Sequence, residues 1–531
     1  MFRGSWLSNL EQRFISKAGR RKKRHLETVI ERLETRCVLV VGGKSGVVSE
    51  ALTSLFGVFA AGTTPAPETR PAREAIRQQF ASFYIENSTD IDSPVNSTVL
   101  VSITGTDIES IQGRLEAQGF VTVGARPDLY RIDGWLPIVA FPEVERLLEA
   151  TGGGLRPVAR PMTSAGLVEN QADIVHESAR VRGQTAYPFD GSGVRVGVLS
   201  DSYNALGGAA ADVASGDLPD GVVVLEDLSG AGLIDEGRAM LQLVHDMAPG
   251  ASLAFATAFT GQLGFANNIR ALARTANADV IVDDVSYLDE PFFQDGIIAQ
   301  AVDEVASVDG VSYFSSAGND ASRAYETTSI TFSADTVSSV NISAYDFDFG
   351  AGVDTRQRIN VSVGGTVRIA LQWDDPFYTV NGVDTNLDLI LVNAATGAVV
   401  AVAQDDNVAT QVPSEFLGYI NSTGQTTFDV MIRHRAGPVP GRFKYIDGSR
   451  GAVTIAEFAT NSGTVNGHSS TDFGIAVAAA PYFNQLVPES FTSTGPINIL
   501  FDDAGNRLAT PVVRPGALIT AIDGTNTTFF G

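Results

Sequence analysis

The sequence predicts an α/β chain: a doubly wound parallel sheet, interrupted by an inserted all-β sandwich and preceded by a small α+β domain. Between Gly191 and Asp320, short apolar bursts bounded by Gly, Ser or Asp (Val194–Leu199, Ser252–Ala256, Val280–Val282, Val311–Ser315) alternate with helically spaced segments (Gly237–His245, Gly261–Ala276, Gln294–Ser307). That alternation is the pattern of parallel strands covered by helices. From Ile330 to about Phe458 the pattern changes to period-two alternation with frequent turn signals and no helical stretch, which reads as a sandwich. Upstream, Thr98–Arg160 reads strand, helix, strand, strand, helix, strand, a split βαβ order.

Taken in order, residues 1–62 form a basic leader, 63–97 a linker with a short helix at Ala72–Tyr84, and 98–185 the small α+β domain. Residues 186–325 are the first part of the α/β domain, 326–460 the sandwich and 461–531 the second part. In that last part, Asp472–Ala480 reads as a buried strand, and Asn498–Phe501 and Val512–Thr520 as further strands.

The chain has 531 residues and a formal net charge of −24, although residues 1–36 carry ten Arg or Lys against four Glu. An acidic body of this kind argues against nucleic acid as partner, and the run Arg20–Arg24 reads as a charged leader. A single cysteine, Cys37, forms no internal disulfide. Lys44 and Glu50 interrupt the best apolar candidate, Cys37–Gly62, so no stretch reaches the ~18 residues of a transmembrane helix. The basic n-region followed by Ser54–Ala61 has the form of an export signal, which points to a secreted or cell-surface protein.

In an open parallel sheet, ligands bind where polar residues end strands or open helices. Asp201, Glu236, Asp284 and Asn319 hold such positions. The segments VGVLSDS, EGRAMLQLVHDMAPGA and SSAGN, followed by PESFTSTGP and NTTFFG, resemble in order the motifs of the subtilisin-like serine peptidases. The resemblance covers roughly Gly191–Asp320 and Val465–Gly531. It implies a serine-type endopeptidase acting on polypeptides with no required cofactor, and makes the small α+β domain similar to the family's propeptide. A generic accessory module is the plainer reading of that domain. The inserted unit resembles the prepeptidase-type jelly rolls of secreted peptidases. Its Asp374, Asp375, Asp384, Asp388, Asp405 and Asp406 are candidate calcium ligands, since calcium prefers several carboxylate oxygens. Solvated turn carboxylates are the alternative. Trp373, Phe377 and Tyr378 cluster as aromatic contacts for a glycan-binding reading.

Serine peptidase chemistry needs a nucleophilic hydroxyl, a base, a group orienting the base and oxyanion donors. The resemblance makes Asn319 the oxyanion donor, and puts Glu236 where the family has its base histidine. His245 lies about 900° of helical turn further on and faces away. His25, His176 and His434 lie outside the segment, and His468 sits in no base motif. A carboxylate base is similar to that of the sedolisins, but their Asp, four residues after the Glu, is Met240 here. Asp201 is then the candidate partner of Glu236, with Ser200 as its rival in register. Two carboxyls sharing a proton favour acidic operation. The alternative is that Asp201 and Glu236 are helix-cap or calcium carboxylates. Among Asp283, Asp284, Glu290 and Asp295, Asp284 is the foremost additional member of the acidic site. The family's nucleophile follows the segment matched by NTTFFG, and Ser316, Ser490 and Ser493 match other elements. The sequence is therefore expected to be a piece ending before the nucleophile, inactive as it stands. A catalytically silent peptidase-fold surface or binding protein is the competing class.

Overall fold

The computed structural model describes residues 48–49, 52–53, 55–56, 98–158, 171–183 and 189–529. The run Arg20–Arg24, Cys37 and the helix expected at Ala72–Tyr84 lie outside the described residues. The small domain has β1 (Thr98–Thr104), α1 (Ile108–Glu116), β2 (Val121–Arg126), β3 (Arg131–Pro137), α2 (Phe141–Thr151) and β4 (Gly154–Pro157). Asp107 caps α1 by accepting from the Ser110 amide, one of the amides a helix start leaves without a partner. The antiparallel sheet runs β2-β3-β1-β4, as the split βαβ pattern requires. Of the stretch read as leader and export signal, Val48 bridges Leu155 beside β4, and Leu52 and Leu55 are fully buried in the small domain's core. Their apolar side chains complete the core of the small domain.

The α/β domain adds β5 (Arg195–Ser200), α3 (Ala209–Ser215), β6 (Val223–Glu226), α4 (Glu236–Met247), β7 (Ser252–Thr257), α5 (Gly261–Arg274), β8 (Val280–Asp283), α6 (Ile297–Val308) and β9 (Ser312–Ser316). The short edge strand β6 and α3 escaped the sequence pattern, since both are too short to show a period. With β21 (Ile475–Pro481) and β24 (Ile519–Asp523) these strands form one parallel sheet in the order β6-β7-β5-β8-β9-β21-β24. The expected strand at Asn498–Phe501 is formed, as β22 (Ile497–Phe501), but it pairs β23 (Arg507–Arg514) in a separate antiparallel ribbon.

The two faces of the sheet are covered unequally. Leu199, Ile281 and Tyr313 share one core with α5 and α6, and the small domain adds Leu100, Leu129, Trp135 and Val158 to it. Each such fully buried apolar side chain contributes ~1.5–3 kcal/mol. On the other face α4 covers Val196, Val198, Leu253 and Phe255. Their in-register neighbours Val280, Val282, Phe314, Ile475 and Val477 remain only half-buried.

The insert comprises β10 (Ala324–Thr327), β11 (Phe332–Val337), β12 (Val340–Tyr345), β13 (Gln357–Val361), β14 (Thr366–Trp373) and β15 (Asn386–Asn393). It continues with β16 (Val399–Ala403), β17 (Ser414–Ile420), β18 (Thr427–Ala436), β19 (Phe443–Asp447) and β20 (Val453–Ile455). These form a four-stranded and a seven-stranded sheet, packed over Tyr325, Tyr345, Phe347, Trp373 and Phe443. A four-residue helix, Asn407–Thr410, interrupts the otherwise all-β unit, capped by Asp406. The glycan-binding cluster is divided: Trp373 is fully buried, while Phe377 and Tyr378 line a cavity, the Tyr378 hydroxyl meeting the Ile297 amide. Four of the six candidate calcium carboxylates have separate partners. Asp374 takes Arg507, Asp388 takes Arg433 and Asp405 takes Arg156, while Asp375 accepts from the Trp373 indole. Among the described residues no three His, Cys, Asp or Glu side chains converge to hold a metal. No described helix is long and apolar enough to cross a membrane.

Candidate active site

The site is built at the carboxyl ends of β5, β8 and β9 and at the amino end of α4. Glu236 opens α4 and is buried. The residue before it, Asp235, has φ 58°, in the left-handed region, a conformation an L-residue keeps only when its surroundings hold it. Here Ser202 does so: its hydroxyl donates to the Asp235 carboxylate at 3.0 Å and accepts from the Asp235 amide at 3.0 Å. Arg238 donates to the same carboxylate at 2.8 Å, and also pairs with Asp212. Gly237 follows from packing, because a Cβ there would lie 2.2 Å from the Phe255 ring and 2.9 Å from the Ser202 carbonyl oxygen.

Asp201, directly after β5, points its carboxylate at the backbone of this helix start. Its Oδ1 accepts from the amides of Ser202 (2.6 Å) and Glu236 (2.9 Å), and its Oδ2 from Ile234 (2.6 Å). Burial raises its pKa above the ordinary value, against the pull of these amides. The expectation that Asp201 is the side-chain partner of Glu236 is therefore corrected. Its carboxylate oxygens are taken by the amides of Ser202, Ile234 and Glu236, the last of which opens α4.

The Asp284 carboxyl lies beside that of Glu236 and near the Ser200 hydroxyl, and its pKa is held well above the usual carboxylate range. Burial is the largest cause, followed by the Glu236 charge and the hydrogen bond to it. Two carboxyls in contact share a proton, because ionising both brings like charges together. Asn319 lies half-buried beyond the end of β9, the strand beside β8. Its carbonyl accepts from Arg323 at 2.7 Å, and the next amide, Asp320, donates to Ser493 Oγ at 3.0 Å.

The remaining acidic residues of this region are taken up elsewhere. Asp295 pairs with Arg514 at 2.6 Å. Asp283 and Glu290 flank His468, which is buried with Nε2 3.1 Å from Asp283 Oδ1 and Nδ1 2.8 Å from Glu290 Oε1. These two carboxylates outweigh burial and raise the imidazole pKa to about 10, so His468 is an imidazolium at neutral pH. Sequence reasoning missed this triad. Its available signal was an acidic pair, Asp289 and Glu290, set among the apolar side chains of YLDEPFF. His245 lies in the last turn of α4, and His434 lies in β18 against the Phe332 ring. No described histidine meets Glu236.

No family model and no curated protein matches the sequence. Among solved structures the molecule is similar to the CspB protease of Clostridium perfringens, at 10% identity over 62% of this chain and 78% of that one, with a TM-score of 0.37. It is also similar to the epidermin leader peptide processing serine protease EpiP of Staphylococcus aureus (11% identity, 42% of this chain and 61% of that one, TM-score 0.27). A third neighbour is fervidolysin from Fervidobacterium pennivorans, a keratinolytic enzyme related to subtilisin (14% identity, 66% of this chain and 54% of that one, TM-score 0.26). By their descriptions the first is a protease, the second a serine protease and the third an enzyme related to subtilisin. The strand order and the placement of the motifs, rather than the overlaps, define the architecture described above.

Proposed function

We propose that this chain is the scaffold of a subtilisin-like, serine-type endopeptidase that acts on polypeptides outside the cell or at its surface, with a carboxyl pair in place of the base histidine. The observation that carries this reading is the contact between Glu236 and Asp284 at the carboxyl edge of the central strands, where such sheets bind ligands. A singly protonated pair accepts a proton from a nucleophilic hydroxyl and returns it to the leaving amine. Glu236, nearest the helix start, is the base. Asp284 holds the shared proton, and Asn319 is the oxyanion donor. Asp201 fixes the helix that presents Glu236.

Past β24, Thr528 packs against α3 and α4, with its amide donating to Gln242 at 3.0 Å and its hydroxyl to Asp212 at 3.1 Å. The Phe529 ring stacks on Arg238, 3.9 Å from the guanidinium carbon to the ring centroid. The competing reading is a catalytically silent surface or binding protein. It is favoured by the serine nearest the pair, Ser200, which is fully buried at the end of β5. The protein should react with a fluorophosphonate probe over an acidic, bell-shaped pH range and lose labelling in Glu236→Gln. A protein inert at every pH would establish the silent reading.

A further inference from the structure

Asp284 is the first residue of a loop that ends at Glu290, and both ends of that loop meet one side chain. At the near end, Asp283 Oδ1 accepts from His468 Nε2 at 3.1 Å, from Ser315 Oγ at 2.9 Å and from the Val285 amide at 3.2 Å. The last of these bonds spans Asp284 itself, closing a turn in which an Asp side chain binds the amide two residues on. At the far end, Glu290 accepts from His468 Nδ1 at 2.8 Å and from the His468 amide at 2.8 Å. The Glu290 carbonyl is held by Gln372 of the sandwich at 2.8 Å. Gly467 makes the approach feasible: it has φ +62°, and a Cβ there would lie 2.4 Å from the Glu290 carboxyl. The ring of Phe265 closes the imidazole off from the side, with centroids 5.0 Å apart.

We propose that His468 is the positioning residue for Asp284: a buried cation that staples both ends of the 284–290 loop and so holds Asp284 against Glu236. The inference rests on the reading that this carboxyl pair is the proton-transfer centre. A hydrogen bond between neutral groups would not suffice. With the cation removed, Asp283 and Glu290 become two buried carboxylates without a counter-charge, and the loop ends separate. The charged and titratable groups around the imidazole are Asp283 on β8, Glu290 on the loop and Tyr313 on β9. Those around the pair are Asp283 and the Ser200 hydroxyl. The staple also joins two pieces of the α/β domain that the sandwich separates in sequence, so the insert and the carboxyl pair share one support.

The test is a carboxyl titration of the whole chain by carbon NMR with labelled Asp and Glu. Wild type should show a carboxyl proton retained above the usual range, and Glu236→Gln or Asp284→Asn should abolish that step. In folded His468→Gln the step should move down by about one pH unit or more, toward the ordinary value, as Asp284 leaves Glu236. Gly467→Ala, which displaces Glu290 without altering the imidazole, should move it in the same direction and serves if His468→Gln does not fold. A wild-type step left in place by either folded variant overturns the positioning role alone. Absence of the step in wild type overturns the carboxyl-pair reading and this inference with it.

Discussion

The carboxyl groups of Glu236 and Asp284 meet at the carboxyl edge of the sheet, one from the first residue of α4 and the other from the residue after β8. The Asp284 pKa is raised, so its contribution to stability is complete below the unfolded value near 3.8 and is lost as pH climbs through the folded one. Asp284→Asn removes that loss. The variant should be more stable than wild type at pH 8, by ~1 kcal/mol or more, and should lose the advantage near pH 3, as read by denaturant unfolding at the two pH values. A site that gains stability when its chemistry is removed behaves as a functional site does.

Asp201 should behave differently. Its carboxylate serves the Ser202 amide and, at and before the start of α4, the amides of Ile234 and Glu236, so Asp201→Ala should cost about 1–3 kcal/mol through lost hydrogen bonds. It should leave the Glu236–Asp284 titration step in place in any population that remains folded. Loss of that step in a folded Asp201→Ala protein, with α4 intact by amide exchange, would restore Asp201 to the acid–base centre.

His468 governs alkaline stability. Its folded pKa is raised from 6.5 to about 10, so its full contribution is present below 6.5 and is lost as pH rises toward 10. Wild type should therefore weaken progressively across that window. His468→Gln should be less stable by about 3–5 kcal/mol at pH 6, because a buried pair loses one partner, and should lack the alkaline slope. Melting temperatures at pH 6 and pH 9.5 for both proteins check this.

Arg238 is a buried cation in the first turn of α4, between Asp212 and Asp235. Arg238→Ala should cost about 3–5 kcal/mol by leaving two buried carboxylates without a partner. Arg238→Ala should also free the Thr528–Phe529 segment, visible as faster amide exchange there, since Phe529 stacks on this guanidinium.

Gly237→Ala tests whether the position of Glu236 is set by packing. The added methyl meets the Phe255 ring and the Ser202 carbonyl, so a loss of about 1–3 kcal/mol is expected, with a downward shift of the Asp284 titration as the helix start moves outward.

Much of the architecture was legible in the sequence because it depends on local periodicity. The bursts at Val194, Ser252, Val280 and Val311 became β5, β7, β8 and β9, and the alternation after Ile330 became the sandwich. Edge strand β6 was not legible, because four residues carry no period. Glu236, Asp284 and Asn319 were found as the polar ends of strands and helices, a property of position along the chain. Which carboxyl meets which was settled only in three dimensions. Asp201 and Asp284 both end strands neighbouring α4's start, but backbone amides, that of Glu236 among them, claim the first and leave the Glu236 carboxyl beside the second. His468 is the extreme case: a sandwich separates it from Asp283 and Glu290, and only the return of the chain to the sheet brings the imidazole between them. Local pattern determined the elements; long-range contact, through hydrogen-bond demand and the cost of unpaired buried charge, decided the site.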